Sequence, residues 1–300
     1  MAGTTGKVVT REEGAQRLLN GSVKRSYEPA IDVDWDAPLE PGRFFLPPKL
    51  VSLYGTPMWR TMSQEQRIEL SRQELANVMS VGIWFENVLN QMLLRLTYDA
   101  DPTSKFTHYA LTEMGDECRH MIMFGKLIDR VGGKGYRRGF WYHNVGRFFP
   151  IVLRGSAVWV ATLMGEEIFD ALQRETMRDP ELQPLVHQVM RIHVTEEARH
   201  IRYARDDLVR TMRHTNRVEK EATRFVAAQA GLILVTSLTN AAMYARAGLD
   251  AKEAQRQARA NPHARQVAYD GFGKLRDFLY EQDLIGGPTV RIWRRCGLVR

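Results

Sequence analysis

The sequence has little cysteine and no apolar run at its N-terminus. Only two cysteines, Cys118 and Cys296, occur in 300 residues, which is too few for a disulfide framework. The first residues, "MAGTTGKVVTREEGAQ", contain no apolar stretch, so no signal peptide is expected. Both absences favour a protein that works in the reducing cytoplasm.

A long uninterrupted hydrophobic segment is also lacking. The most apolar stretch, 225–244, approaches the length that spans a membrane, but polar side chains interrupt it at Gln229, Thr236, Ser237, Thr239 and Asn240. We therefore expect a buried helix here, contributing to the core or to a dimer interface, and no membrane partner.

Charge is not concentrated in any one region. The chain has 42 Lys and Arg against 35 Asp and Glu, a formal charge of +7, and the basic residues are scattered apart from short clusters such as the tail "RIWRRCGLVR". Proteins that bind nucleic acid usually gather basic residues on one face or along one helix. Nucleic acid is therefore not an expected partner.

No segment alternates polar and apolar residues long enough to predict a sheet. Long segments instead carry apolar residues at helical spacing, beginning with a capping-box pattern at Ser63 and Gln66. The sequence predicts an all-α fold, with long helices at about 63–96, 104–131, 152–177, 180–213 and 216–248 and shorter ones at 251–259 and 264–281.

The distribution of proline predicts the domain organisation. Residues 1–60 are rich in proline and show no sustained periodicity, so we expect an extended N-terminal arm without a core of its own. Residues 61–300 are expected to form a single helical domain. Its core would be a four-helix bundle at about 63–214, followed by additional C-terminal helices within 216–281.

An internal repeat appears when the sequence is shifted by 80 residues. "ENVLNQML" from residue 86 then aligns with "EEIFDALQ" from 166, and "EMGDECRH" (113–120) aligns with "HVTEEARH" (193–200). In each copy a glutamate precedes the Glu of a Glu-x-x-His motif by 31 positions, from 86 to 117 and from 166 to 197. This register selects Glu166 over its neighbour Glu167 as the counterpart of Glu86, and it predicts two helical hairpins of matched length.

The repeat places carboxylates and imidazoles on shared helix faces. At about 100° per residue, positions i, i+4 and i+7 fall on one face, as in His193, Glu197 and His200. Such groups are costly to bury unless something binds them. Four helices would turn six such side chains towards one core, namely Glu86, Glu117, His120, Glu166, Glu197 and His200. This is the ligand set of a di-iron or di-manganese carboxylate bundle.

A second layer of charge flanks both motifs, which read Asp/Glu-Glu-x-Arg-His. Metal-bound imidazoles commonly donate their other N–H to a carboxylate. We therefore predict that Asp116 reaches His200 and that Glu196 reaches His120 across the bundle. Two arginines would balance this acidic layer, Arg119 and Arg199.

Glu113 occupies the repeat position that His193 fills in the second copy. It could be a metal ligand or an acid beside the ligands, and the sequence favours the second interpretation.

The complete pattern resembles that of a known family, the p-aminobenzoate N-oxygenase (AurF-like) di-iron oxygenases. The matching positions are Glu86, Glu117-x-x-His120, Glu166 and His193-x-x-x-Glu197-x-x-His200, within roughly residues 60–250. Ordinary ferritin-like bundles supply two histidines, whereas this family supplies a third, at the position of His193. No substrate-contacting residue is part of the pattern.

The resemblance implies a cofactor and a reaction. His193 would be a seventh ligand of a centre with two iron ions, and O2 would be the co-substrate. An aromatic amine would be oxidised through hydroxylamine and nitroso to nitro products, with electrons from an external donor, in a homodimer. Mixed manganese and iron accept the same ligands.

Two other functions remain open at this point. A di-iron hydroxylase or desaturase could act on a carbon chain, free or bound to an acidic carrier protein that docks on the basic surface. Iron storage without turnover is the third alternative, and the N-terminal arm and extra C-terminal helices fit it poorly.

Overall fold

The computed structural model describes residues 10–300, and these form helices joined by turns, with one isolated bridge between Phe44 and Leu182 and no named strand. The predicted all-α class is confirmed. In chain order the helices are α1 (Arg11–Lys24), α2 (Pro29–Asp32), α3 (Pro57–Thr61), α4 (Gln64–Tyr98), α5 (Lys105–Arg130), α6 (Phe140–Val152), α7 (Ser156–Met177), α8 (Pro184–Met212), α9 (Arg217–Ser237), α10 (Ala241–Arg246), α11 (Ala251–Ala260), α12 (Pro262–Gly271), α13 (Gly273–Glu281) and α14 (Val290–Arg295).

Two helical hairpins form the bundle, as the repeat predicts. Helix α4 packs along α5, helix α7 packs along α8, and contacts of α4 with α7 and of α5 with α8 join the two pairs. The start of α4 is fixed by the predicted capping box, in which the Ser63 hydroxyl accepts from the Gln66 N–H and the Gln66 side chain accepts from the Ser63 N–H. The four helices therefore turn four inner faces towards one core.

The N-terminal segment differs from the predicted extended arm. Residues 11–24 form α1, which begins at a capping box between Thr10 and Glu13 and packs against α5 and α8. An ion pair of 2.8 Å between Arg11 and Asp207 holds this helix to the bundle. Its sequence, "REEGAQRLLNGSVK", is mostly polar and offers little apolar periodicity, so its position depends on contacts with distant residues.

A second helix that the sequence did not predict, α6, occupies residues 140–152, between the second and third predicted long helices. Pro150 lies inside α6, two residues before its end, where its missing N–H removes one backbone hydrogen bond of the helix. Gly146 faces Trp84 of α4 so closely that a Cβ would overlap the indole ring. Packing on α4 therefore outweighs the local signals against a helix.

Helix α9 ends about ten residues earlier than predicted. The Asn77 side chain donates hydrogen bonds to the carbonyls of Ser237 and Leu238, and the Asn240 side chain caps the start of α10. Backbone carbonyls that the end of the helix leaves unpaired thus find hydrogen-bond donors.

The expectation that α9 is buried was only partly right. The range Arg217–Arg246 is apolar and long enough to cross a membrane by length and composition, and only 28% of its most apolar window is buried in the protein. One face packs on α7, whereas Phe225 is 53% exposed. The break between α9 and α10 lies inside this range, which weakens it as evidence for a membrane span.

Candidate metal centre

The seven predicted ligands converge in the middle of the bundle. Each is at most 3% exposed, and they come from all four long helices: Glu86 from α4, Glu117 and His120 from α5, Glu166 from α7, and His193, Glu197 and His200 from α8. The helical period brings them inward because each motif occupies the buried face of its helix.

Two imidazoles point the same nitrogen at the same pair of carboxylates. Nδ1 of His120 lies 3.2 Å from Glu117 and 3.3 Å from Glu197. Nδ1 of His200 lies 2.8 Å from Glu117 and 3.3 Å from Glu197. Glu117 and Glu197 are therefore placed between the two imidazoles, where a carboxylate could bridge two cations.

His193 adds a third imidazole to one side of this cluster. Its Nε2 lies 3.2 Å from Glu86 and 3.3 Å from Glu197, and its ring centroid is 4.5 Å from that of His120. Burial lowers the pKa of His193 to about 3, so the imidazole is neutral at ordinary pH, as a metal ligand must be.

The structure distinguishes Glu166 from its neighbour Glu167 as the candidate ligand. Glu166 is 2% exposed, and its pKa is raised by burial and by the nearby carboxylates of Glu197 and Glu117. Glu167 points elsewhere and accepts two hydrogen bonds from Arg205, of 2.6 and 2.5 Å. Glu166 is thus the residue of this pair that lies with the predicted ligands.

The contacts expected from the outer acids are present. Nε2 of His120 lies 2.9 Å from Glu196, and Nε2 of His200 lies 3.2 Å from Asp116, so each imidazole can donate its outward N–H to an acid of the opposite motif. The arginines contact the same acids: Arg119 pairs with Asp116, and Arg199 lies between Asp116 and Glu196. Hydrogen bonds of this kind fix the tautomer and orientation of an imidazole and raise its basicity.

The N-terminal segment contributes a contact that the sequence did not predict. The backbone N–H of Tyr27 donates a 3.2 Å hydrogen bond to Glu196, 169 residues away in the chain. The side chain of Arg199 passes beneath Gly21 of α1. A backbone donor leaves no residue-type signal in a sequence, and only the position of α1 on α5 and α8 brings it to the acid.

Aromatic side chains lie beside the buried cluster. The Phe124 ring lies against both His120 and His193, with centroids 6.5 and 4.8 Å apart, respectively. Phe85, next to Glu86, and Phe169, one turn after Glu166, contact each other, with 6.4 Å between ring centroids. Helix α7 approaches closely enough for this packing because residue 165 is glycine; a Cβ there would overlap the Phe85 ring.

Crowding of carboxylates gives opposite pKa shifts within the cluster. Burial, together with Glu117, raises the pKa of Glu86 well above its usual value. Burial would also raise the pKa of Glu197, but the imidazoles of His200 and His193 outweigh it and hold this pKa well below the usual range. Without a cation, several acids of the cluster must therefore keep a proton.

Unsatisfied buried atoms test whether a metal centre fits these residues. No hydrogen-bond partner among the described residues reaches Oε2 of Glu86, Oε1 of Glu166 or Nδ1 of His193. Buried polar atoms of this kind cost free energy unless a partner binds them. Donor atoms gather within 4.8 Å of one another in three overlapping groups: Glu86, His120 and His193; Glu117, His120 and Glu197; and Glu113, Glu117 and His200. This carboxylate and imidazole set fits two iron ions, or manganese with iron.

Comparisons with known proteins identify the family of this chain. A model of the family described as "P-aminobenzoate N-oxygenase AurF" matches residues 9–283. "Uncharacterized protein MT0908" of Mycobacterium tuberculosis (strain CDC 1551 / Oshkosh) is 30% identical over 295 residues, which cover 93% of this chain and 85% of that protein. "Uncharacterized protein Mb0909" of Mycobacterium bovis has the same identity and coverage.

Among solved structures, a mutant R2-like ligand-binding oxidase with an anaerobically reconstituted Mn/Fe cofactor aligns with a TM-score of 0.44 and 14% identity, over 99% of this chain and 95% of its own. The family model spans far more than half of the sequence. The protein therefore belongs to the p-aminobenzoate N-oxygenase AurF family.

Proposed function

We propose that this protein is an O2-dependent oxygenase that oxidises the nitrogen of an aromatic amine to hydroxylamine, nitroso and nitro products. One observation carries the proposal: a third imidazole, His193, lies among the buried donors, 3.2 Å from Glu86 and beside His120. Storage and generic bundle sites need only two imidazoles. A third neutral donor raises electron density at one side of the centre.

The overall reaction sets a requirement for electrons. Conversion of an amine to a hydroxylamine, RNH2 + O2 + 2 e− + 2 H+ → RNHOH + H2O, consumes two electrons that the amine does not supply. An external electron donor is therefore part of the proposal. Two redox-active ions held by the seven ligands would supply the activation of O2.

The protein's own residues prepare the site for this chemistry. Glu86, Glu117, Glu166 and Glu197 would neutralise the charge of two cations. Asp116 and Glu196 orient the imidazoles through their outward N–H groups. The aromatic rings of Phe85, Phe124 and Phe169 would help to exclude water from the cluster, which would protect an oxidising centre from side reactions.

A substrate panel tests the reaction. Apo-protein would be loaded anaerobically with Fe2+, reduced, and exposed to 18O2 with anilines, aliphatic amines or fatty acyl carrier proteins, and the products analysed by mass spectrometry. The proposal expects 18O on the nitrogen of an aromatic amine. Label on the carbon of an acyl chain would identify a hydroxylase instead, desaturation without label would identify a desaturase, and ferric mineral alone would identify a storage protein.

Two histidine variants sharpen the same experiment. His193→Gln should lose N-oxygenation while the apo-protein keeps its fold, because a neutral, buried side chain of similar size replaces a neutral imidazole. His187→Gln provides a matched control on the same helix, since His187 lies outside every donor group. N-oxygenation that survives unchanged in His193→Gln would contradict the proposal.

We further propose that the protein acts as a cytoplasmic homodimer. Large apolar side chains are exposed along α6, where Phe140, Trp141, Phe148 and Ile151 are 54–77% exposed, and Phe225 is exposed on α9. Exposed apolar surface of this kind favours contact with another protein surface. A symmetric dimer would bury the same surface on both chains.

A further inference from the structure

Glu113 is a fully buried acid of the bundle. It lies on α5 one turn before Glu117 and is 0% exposed. Within residues 10–300 neither of its carboxylate oxygens has a hydrogen-bond partner. A fully buried carboxylate without donors carries a large desolvation cost, which only a proton or a cation can offset.

The position of Glu113 joins it to the predicted ligands. A carboxylate oxygen of Glu113 and donor atoms of Glu117 and His200 all lie within 4.8 Å of one another. Both neighbours belong to the predicted dinuclear centre. An acid that only supported a ligand would be expected to accept a hydrogen bond from it, as Asp116 does from His200.

The repeat gives Glu113 a counterpart with the same geometry. His193 precedes Glu197 by one turn on α8 and groups with Glu86 and His120. Glu113 precedes Glu117 by one turn on α5 and groups with His200. Each half of the bundle therefore adds one donor, four residues before its Glu-x-x-His motif, on opposite sides of the centre.

We propose that Glu113 is an eighth protein ligand, binding the same metal ion as His200. This inference rests on the dinuclear centre of the proposed function, and it replaces the sequence-based expectation that Glu113 is an acid beside the ligands. The two metal positions then differ chemically: one has the imidazoles of His120 and His193, and the other has His200 with an added carboxylate. The carboxylate-rich position favours the harder ion, so it should hold Mn2+ in preference to the other position.

Two substitutions distinguish a ligand from a supporting acid. Gln is nearly the same size as Glu and can accept a hydrogen bond, but it is a poor metal ligand. His is a good ligand and reproduces what the second half of the repeat already uses. Glu113→Gln should therefore lose one metal position, and Glu113→His should restore it.

The measurement is an anaerobic titration of apo-protein with Co2+. Calorimetry and the visible absorption of bound Co2+ monitor the binding. Wild type should bind two ions. Glu113→Gln should bind one ion as wild type does and the other at least roughly tenfold more weakly, with an altered Co2+ spectrum. Glu74→Gln is the matched control, because Glu74 is a buried acid of α4 outside every donor group and should leave both affinities unchanged.

The outcomes separate this inference from the function on which it depends. If Glu113→Gln binds both ions with the affinities of wild type and gives an unchanged spectrum, the role of Glu113 is overturned while the centre stays intact. Fewer than two ions in wild type would contradict the proposed function itself. A crystal structure of the Co2+-loaded wild type decides the point if Glu113→His does not fold: an oxygen of Glu113 should lie about 2.0–2.2 Å from one ion, and separation from both would overturn the assignment.

Discussion

The outward nitrogen of His120 on α5 lies 2.9 Å from a carboxylate oxygen of Glu196 on α8. Glu196 also accepts a hydrogen bond from the backbone N–H of Tyr27. One acid therefore connects an imidazole of the centre to the N-terminal segment, and both contacts depend on its negative charge and its two oxygens.

Glu196→Gln should weaken metal binding without unfolding the protein. The amide cannot replace the carboxylate as an acceptor for both N–H groups, so His120 loses orientation and basicity. We expect a loss of about 10- to 100-fold in metal affinity, measured by anaerobic titration with Fe2+. Glu167→Gln, which changes a buried acid that pairs with Arg205, should bind metal as wild type does. Equal affinities in the two variants would argue against an orienting role for Glu196.

Gly165→Ala should destabilise the bundle next to Glu166. The added methyl group would overlap the ring of Phe85, the residue immediately before Glu86 on α4. Overpacking of this kind costs about 1–3 kcal/mol of unfolding free energy, measured by chemical denaturation of the apo-protein. Gly125→Ala is the control, since a Cβ there meets nothing within 4 Å and should be neutral or stabilise α5 by up to about 1 kcal/mol. Equal stability of the two variants would show that α4 and α7 do not approach this closely.

Glu74, which lies outside the groups of candidate metal donors, should make the stability of the protein depend on pH. Burial raises the pKa of Glu74 from 4.5 to about 7, although hydrogen bonds from Ser52 act in the opposite direction. The folded state thus holds this proton more tightly than the unfolded state does. The contribution to stability is complete below about pH 4.5 and is lost as the pH rises through 7.

Glu74→Gln removes this dependence, so the stability of the variant relative to wild type should increase between pH 5 and pH 8. Denaturation of both apo-proteins at the two pH values measures the difference and cancels the contributions of all other groups. A difference that stays constant with pH would mean that Glu74 is not protonated in the folded protein.

Charge placed on the exposed face of α6 should disrupt the proposed homodimer. Trp141→Glu with Phe148→Glu puts two carboxylates on an apolar surface, where both wild-type side chains are more than half exposed. Analytical ultracentrifugation should find two chains per particle in wild type and one in the double variant. Tyr98→Glu changes an aromatic residue at the end of α4 that is 84% exposed and should leave the dimer intact. A wild-type monomer would contradict this proposal.

The sequence predicted the parts of this structure that depend on short-range spacing. Helical periodicity and the capping box at Ser63 located α4, and the repeat predicted both hairpins and the contacts of Asp116 and Glu196 with the imidazoles. These features follow from spacing along a helix and from the symmetry of two copies.

Long-range packing explains what the sequence could not predict. Helix α1 has no strong apolar period and is held by Arg11 and by the Tyr27 backbone against residues far along the chain. Helix α6 forms because Gly146 lets it approach Trp84. No described residue forms a hydrogen bond with Glu113, and this too can be known only once all four helices are assembled.

Metal content measures the central claim most directly. Apo-protein reconstituted anaerobically with Fe2+ and freed of excess metal should retain two iron ions per chain by elemental analysis. Retention of one ion or none, in protein that is folded by circular dichroism, would contradict a dinuclear centre built from these residues.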